Sequence, residues 1–279
     1  MTWVLQNLRT SEKLISAVIT LACALLLSQK DLVLLFIVVG QGHFVIAYLY
    51  RFRAKRVSRT LMVNYMLAVV VFAGGYWLTG DALLLAAVTS IYFAWHMLSD
   101  ERHLLGGKAS VQGLLEILPT LLMLAAYELE HLYALEGVSL AFGFSLILWV
   151  VRLGLAPLKG WKSDSISAYF AGAWLLLAGL FLAGRRIPAD TLWGAIILYH
   201  YLNWYLFYGL RFVGKRERMR PYLRDILIVN GLMIVGFMLW QWGPATALDL
   251  WFGQNAFYVW TCLHLVFTTR GDDLGYLRA

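Results

Sequence analysis

Four histidines stand inside strongly apolar runs of this chain: His43, His96, His200 and His264. An ionisable side chain in such a run is costly unless it faces a bundle interior, a cavity or a ligand. Polar neighbours accompany them. His96, Asp100 and His103 fall at i, i+4 and i+7, one face of a helix. Glu116 lies one turn into the next apolar run, and Asn203 sits at i+3 from His200, where it can orient the ring or a substrate. Imidazoles with carboxylates form the donor set of a first-row transition metal, and imidazole suits iron, zinc and copper alike. The expectation is a metal centre with His43, His96, His200 and His264 as ligands and Asp100 or His103 as further donors. Asp100, Glu116 and Asn203 are the candidates for proton transfer and positioning. Fe(II) with open positions would activate O₂ against an unactivated hydrocarbon, and a site within a leaflet would reach a lipid or isoprenoid dissolved there. Taken singly, each histidine reads equally well as a hydrogen-bond donor between helices.

Such a centre needs elements to hold it, and composition says what they are. Of the 279 residues, 61% are apolar and 14% charged, against about half and about a quarter in a soluble domain. Mean hydropathy is +0.69. One water-soluble core of this size could not hide that apolar surface, which excludes a soluble globular enzyme. The fold class expected is all-α: a polytopic transmembrane helical bundle forming one membrane domain. With about 20 apolar residues per span, the chain divides into ten candidates: 13–29, 32–50, 60–78, 82–99, 111–127, 138–156, 167–184, 190–212, 224–241 and 250–269. No small-residue cleavage site follows the first, so it is expected to be retained rather than removed as a signal peptide. No linker is long enough for a separate domain, and no internal repeat is visible.

The distribution of charge orients the spans. Cytoplasmic loops collect Lys and Arg. With ten spans, alternate loops take 20 of the 23 basic residues, including the clusters Arg51 to Arg59 and Arg211 to Arg224. The opposite side receives only Lys30, Arg185 and Arg186, beside seven acids. Both termini are therefore expected in the cytoplasm of a multi-pass protein of a bacterial-type inner membrane. The net charge of +7 belongs to these loops and implies no nucleic-acid partner. The basic clusters are orientation signals first and sites for anionic lipid headgroups second. The histidine-bearing spans, two, four, eight and ten, all run from outside to inside. Counted back from the basic ends, the four rings lie within about 10 Å of one another in depth.

The segments Gly42-His43-Phe44, Trp95-His96-Met97 with Asp100, Tyr199-His200-Tyr201 and Cys262-Leu263-His264 give the chain a pattern that resembles the Brp/Blh family of membrane β-carotene dioxygenases. The resemblance covers most of the chain after the first span, as order and spacing of motifs. It implies a multi-span bundle whose histidines hold one non-haem iron that cleaves a polyene. The partners expected are membrane lipids and a hydrophobic small-molecule substrate, with an electron donor if the reaction consumes reducing equivalents. Two positions depart from the family. Its first motif is similar to His-Gly-x-x-Asp, whereas Phe44 and Val45 follow His43; its late His-x-x-x-His pair has Trp204 at the second place. Asp100, His103 or Glu116 would have to replace the missing ligand. Other chemistries remain open to the same residues. Histidine pairs can be axial haem ligands in an electron-transfer protein, Glu116 and the histidines can form the proton relay of a transporter, and a metal-free acyl or prenyl transfer also uses histidine.

Overall fold

A computed structural model of the chain describes residues 2–53, 59–79, 111–133, 137–161, 165–184, 189–243, 248–253, 256, 259–261 and 263–264. Among these residues there is no strand: every regular element is α-helical. In chain order they are α1 (Thr2–Leu26), α2 (Gln29–Arg53), α3 (Arg59–Thr79), α4 (Val111–Tyr133), α5 (Val138–Lys159), α6 (Ser165–Leu182), α7 (Ala189–Arg211), α8 (Arg216–Trp242) and the single turn α9 (Asp249–Phe252). Each overlies one of the expected spans. The fourth, 82–99, lies outside the described residues, as does much of the tenth.

Local chemistry sets the helix ends. Leu26 closes α1, and Ser28 then caps α2: its Oγ accepts the Asp31 N–H at 3.2 Å and donates to the Asp31 carboxylate at 2.6 Å. The first bond is the N-cap half of a capping box, and the second joins the two side chains directly. Gly160 ends α5 in the left-handed region (φ 63°, ψ 24°), where a residue without Cβ is at no disadvantage.

Two elements differ from the expected spans. The helix of the first span begins at Thr2, not near residue 13, and within it Glu12 and Lys13 are buried, 3.2 Å apart. The tenth span is interrupted early. Gly253 takes an extended backbone (φ −62°, ψ 148°) after α9, and helix resumes at the described residues beyond it.

The chain divides into two compact units, each assembled from distant segments: Met1–Phe36 with Leu105–Tyr222, and Ile37–Leu104 with Leu223–Ala279. In the first, α4 lies along α5 and α6, while α1 packs against α6 and α7. Tyr169, Phe170, Leu176, Leu177, Leu180 and Tyr199 form its fully buried interior. In the second, Gln41 of α2 donates to the Trp251 carbonyl at 2.6 Å, and Phe252 of α9 sits against Phe237 and Trp240 of α8.

Among the described residues, three stretches are long and apolar enough to cross a bilayer: Lys30–Tyr50, Val138–Lys159 and Arg216–Trp242, with mean hydropathies of 2.2, 2.0 and 1.7. Their surfaces agree with that. Leu140, Phe144, Ile147 and Val151 make an exposed apolar stripe at helical spacing on α5. Such a contiguous patch marks contact with protein or lipid rather than with water.

Candidate functional site

In the second unit, α2 carries His43 and the helical residues after Gly253 carry His264. The two side chains, 221 positions apart in sequence, are brought to a ring-centroid distance of 5.1 Å with 66° between the ring planes. Both are buried, 2% and 1% exposed. Phe44 stacks on His264 at 4.4 Å, and Tyr48 stands edge-on to it at 6.2 Å. The helical register explains the grouping: Phe44 is next to His43, and Tyr48 is one turn further along the same helix. The surroundings of the pair are thus aromatic, with Tyr65 standing edge-on to Tyr48 at 6.2 Å.

The spacing of the pair fits a shared ion. With nitrogen–metal bonds of about 2.0–2.1 Å, two imidazoles on one tetrahedral ion have centroids about 5 Å apart. Among the described residues no group of three or more His, Cys, Asp or Glu side chains that could hold a metal ion comes together. His96, Asp100 and His103 lie outside the described residues.

His200 belongs to the first unit, on α7, and is buried. Its Nδ1 is 3.3 Å from the Tyr169 hydroxyl of α6. A histidine ligand is usually held in this way, one ring nitrogen bonded to the protein so that the other faces the metal. The clamp on the ring is therefore Tyr169, a residue the sequence reading passed over. Asn203, expected to orient His200, donates its amide to the Tyr199 carbonyl at 2.8 Å, and its buried Oδ1 has no partner among the described residues. Tyr199 in turn donates to the Tyr169 carbonyl at 2.7 Å and ties α7 to α6. Lys13 lies over the Tyr169 ring, 5.3 Å from its centroid. Together these residues make a polar corner between α1, α6 and α7. The signal for it in the sequence was the Glu12-Lys13 pair ahead of the first apolar run, which reads there as a loop edge.

Glu116 is the centre of a separate buried network in the first unit. Arg152 of α5 donates to Glu116 Oε1 through Nε at 3.0 Å and Nη2 at 2.7 Å. Ser167 of α6 donates to the same oxygen at 2.5 Å, and Gln112 at 3.0 Å. Four donors on one carboxylate oxygen make a fixed ion pair between α4, α5 and α6. Arg152 was counted on sequence grounds among the cytoplasmic loop charges; it is buried.

No family model, curated protein or solved structure matches this chain.

Proposed function

We propose that this is a multi-pass membrane protein of about ten spans with cytoplasmic termini, and that it is a histidine-ligated metal enzyme, non-haem Fe(II) in the first instance. Its substrate is an apolar one, a lipid, isoprenoid or carotenoid. The observation that carries this reading is the His43–His264 pair: two buried imidazoles from opposite ends of the chain, at a spacing suited to one ion and walled by aromatic side chains. His96 is a further histidine donor, with Asp100 or His103 in place of a missing ligand. Bound iron would supply O₂ activation.

The protein's own part is binding and orientation. Phe44 and Tyr48 fix the imidazole planes and keep water from the pair. Tyr169 holds His200 by one nitrogen. Glu116 is held by Arg152 and Ser167, which suits a structural anchor better than a group that must exchange protons at each turnover. An electron donor would be needed only if the reaction consumes reducing equivalents, whereas a dioxygenase places both oxygen atoms in its products.

The test is elemental analysis of protein purified in detergent, with His43→Ala, His264→Ala and the double variant alongside. The expected result is near-stoichiometric iron in the wild type and its loss in all three variants. Sub-stoichiometric metal that none of the substitutions changes would overturn the proposal. A Soret band in the wild type would replace it with the haem alternative.

A further inference from the structure

At the junction of α2 and α8 in the second unit, Asp225 is 4% exposed and bound by two arginines, one on each carboxylate oxygen. Arg53 Nη1 donates to Oδ2. Arg224 donates to Oδ1 through Nε at 3.3 Å and Nη2 at 3.1 Å. The arginines themselves are half-exposed, 46% and 61%. A hydrogen bond to the Asp225 carboxylate raises Arg53 above the ordinary guanidinium value, and its guanidinium carbon lies over the Tyr50 ring, 5.8 Å from the centroid. Two guanidinium groups and one carboxylate leave a surplus of one positive charge. The buried acid holds both cations side by side, while Arg53 Nε and Nη2 and Arg224 Nη1 take no part in the pairing.

Directly beyond Arg224 runs an exposed apolar stripe. Leu227, Ile228, Leu232, Val235 and Met238 recur at helical spacing along α8 and all remain exposed. Phe52, adjacent to Arg53, is exposed as well. From Leu227 to Met238 the helix rises about 16 Å at 1.5 Å per residue, close to the depth of one leaflet's hydrocarbon, about 15 Å.

We propose that this face of the second unit is a binding site for one anionic phospholipid. The phosphodiester rests on the spare N–H groups of Arg53 and Arg224, and an acyl chain lies along the α8 stripe. The charges match: a phosphodiester carries one negative charge, equal to the surplus of the cluster. A zwitterionic choline lipid would bring a quaternary cation to an already positive site. Guanidinium favours phosphate because its planar fork can donate to two oxygens at once. The proposal needs a membrane but no metal, so it stands apart from the enzyme reading.

The experiment is native mass spectrometry of the full chain in detergent, titrated with dioleoyl-phosphatidylglycerol, dioleoyl-phosphatidylcholine or inorganic phosphate. Arg53→Gln, Arg224→Gln and the double variant are compared with wild type. The expected result is one tightly bound phosphatidylglycerol, about fivefold weaker in each single variant, and no comparable phosphatidylcholine adduct. Raising salt from 0.1 to 0.5 M should weaken binding to the wild type several-fold, a measurement independent of whether the variants fold. Equal affinity for the two lipids, or binding that is unchanged by salt, would overturn the site. Displacement of the lipid by millimolar inorganic phosphate would also overturn it, since the site would then be one for free phosphate.

Discussion

Arg152 and Glu116 offer a sharp test of how this chain tolerates charge in its interior. The perturbation is Arg152→Met and Glu116→Leu, each alone and the two combined. Both side chains are at most 4% exposed, and their contacts at 2.7 and 3.0 Å are reinforced by Ser167 and Gln112 on the same oxygen. Removing Arg152 leaves a buried carboxylate whose charge is no longer compensated. Losses of that kind run to about 3–5 kcal/mol. Removing both partners removes both desolvation penalties, and apolar replacements of similar volume are often neutral or stabilising. The double variant should therefore lie far above the sum of the singles, with a coupling of at least about 3 kcal/mol. Equilibrium unfolding of detergent-purified protein, followed by tryptophan fluorescence and circular dichroism, measures all four corners of the cycle. Added salt should leave the wild-type midpoint nearly unchanged, because a buried pair is poorly screened. Additive losses, or an Arg152→Met variant within about 1 kcal/mol of wild type, would refute the reasoning. The same data bear on Glu116 as a proton shuttle: strong coupling makes it an anchor.

Three further outcomes follow from particular contacts. Gly194→Ala should destabilise, by about 1–3 kcal/mol, because a Cβ there would fall within the Phe36 ring; Gly→Ala in an open helix normally stabilises by about 1 kcal/mol, so the sign of a thermal-shift measurement decides. Tyr169→Phe removes the hydroxyl at His200 Nδ1 and should cost about 0.5–1.5 kcal/mol with little loss of helix content; equilibrium unfolding beside circular dichroism checks it, and an unchanged midpoint would leave Tyr169 as packing only. Reporter fusions or cysteine labelling at either terminus should report the cytoplasmic side, and labelling of either from outside would break the ten-span topology.

What could be read from the chain depended on whether the signal was local. Helices were readable because apolar length is a property of a contiguous run: Val138–Lys159 carries mean hydropathy 2.0 in the structure's own bounds. Pairing is not a property of a run. Lys13 and Arg152 look like interface charges when each residue is scored alone, yet they are buried against the Tyr169 ring and Glu116. The partners come from other helices, so no window along the sequence contains them. The histidines show both cases. His43 and His264 stood out because imidazole is rare in apolar runs, and that rarity pointed to a pair 221 residues apart that the fold brings to 5.1 Å. Tyr169 did not stand out, since a tyrosine in such a helix is ordinary interfacial composition. Its role rests on which atom its hydroxyl meets, and that depends on α6 and α7 being locked together by the Tyr199–Tyr169 bond. Residue type thus marks the groups that could do chemistry, while the residues that aim them are common ones whose meaning comes from packing.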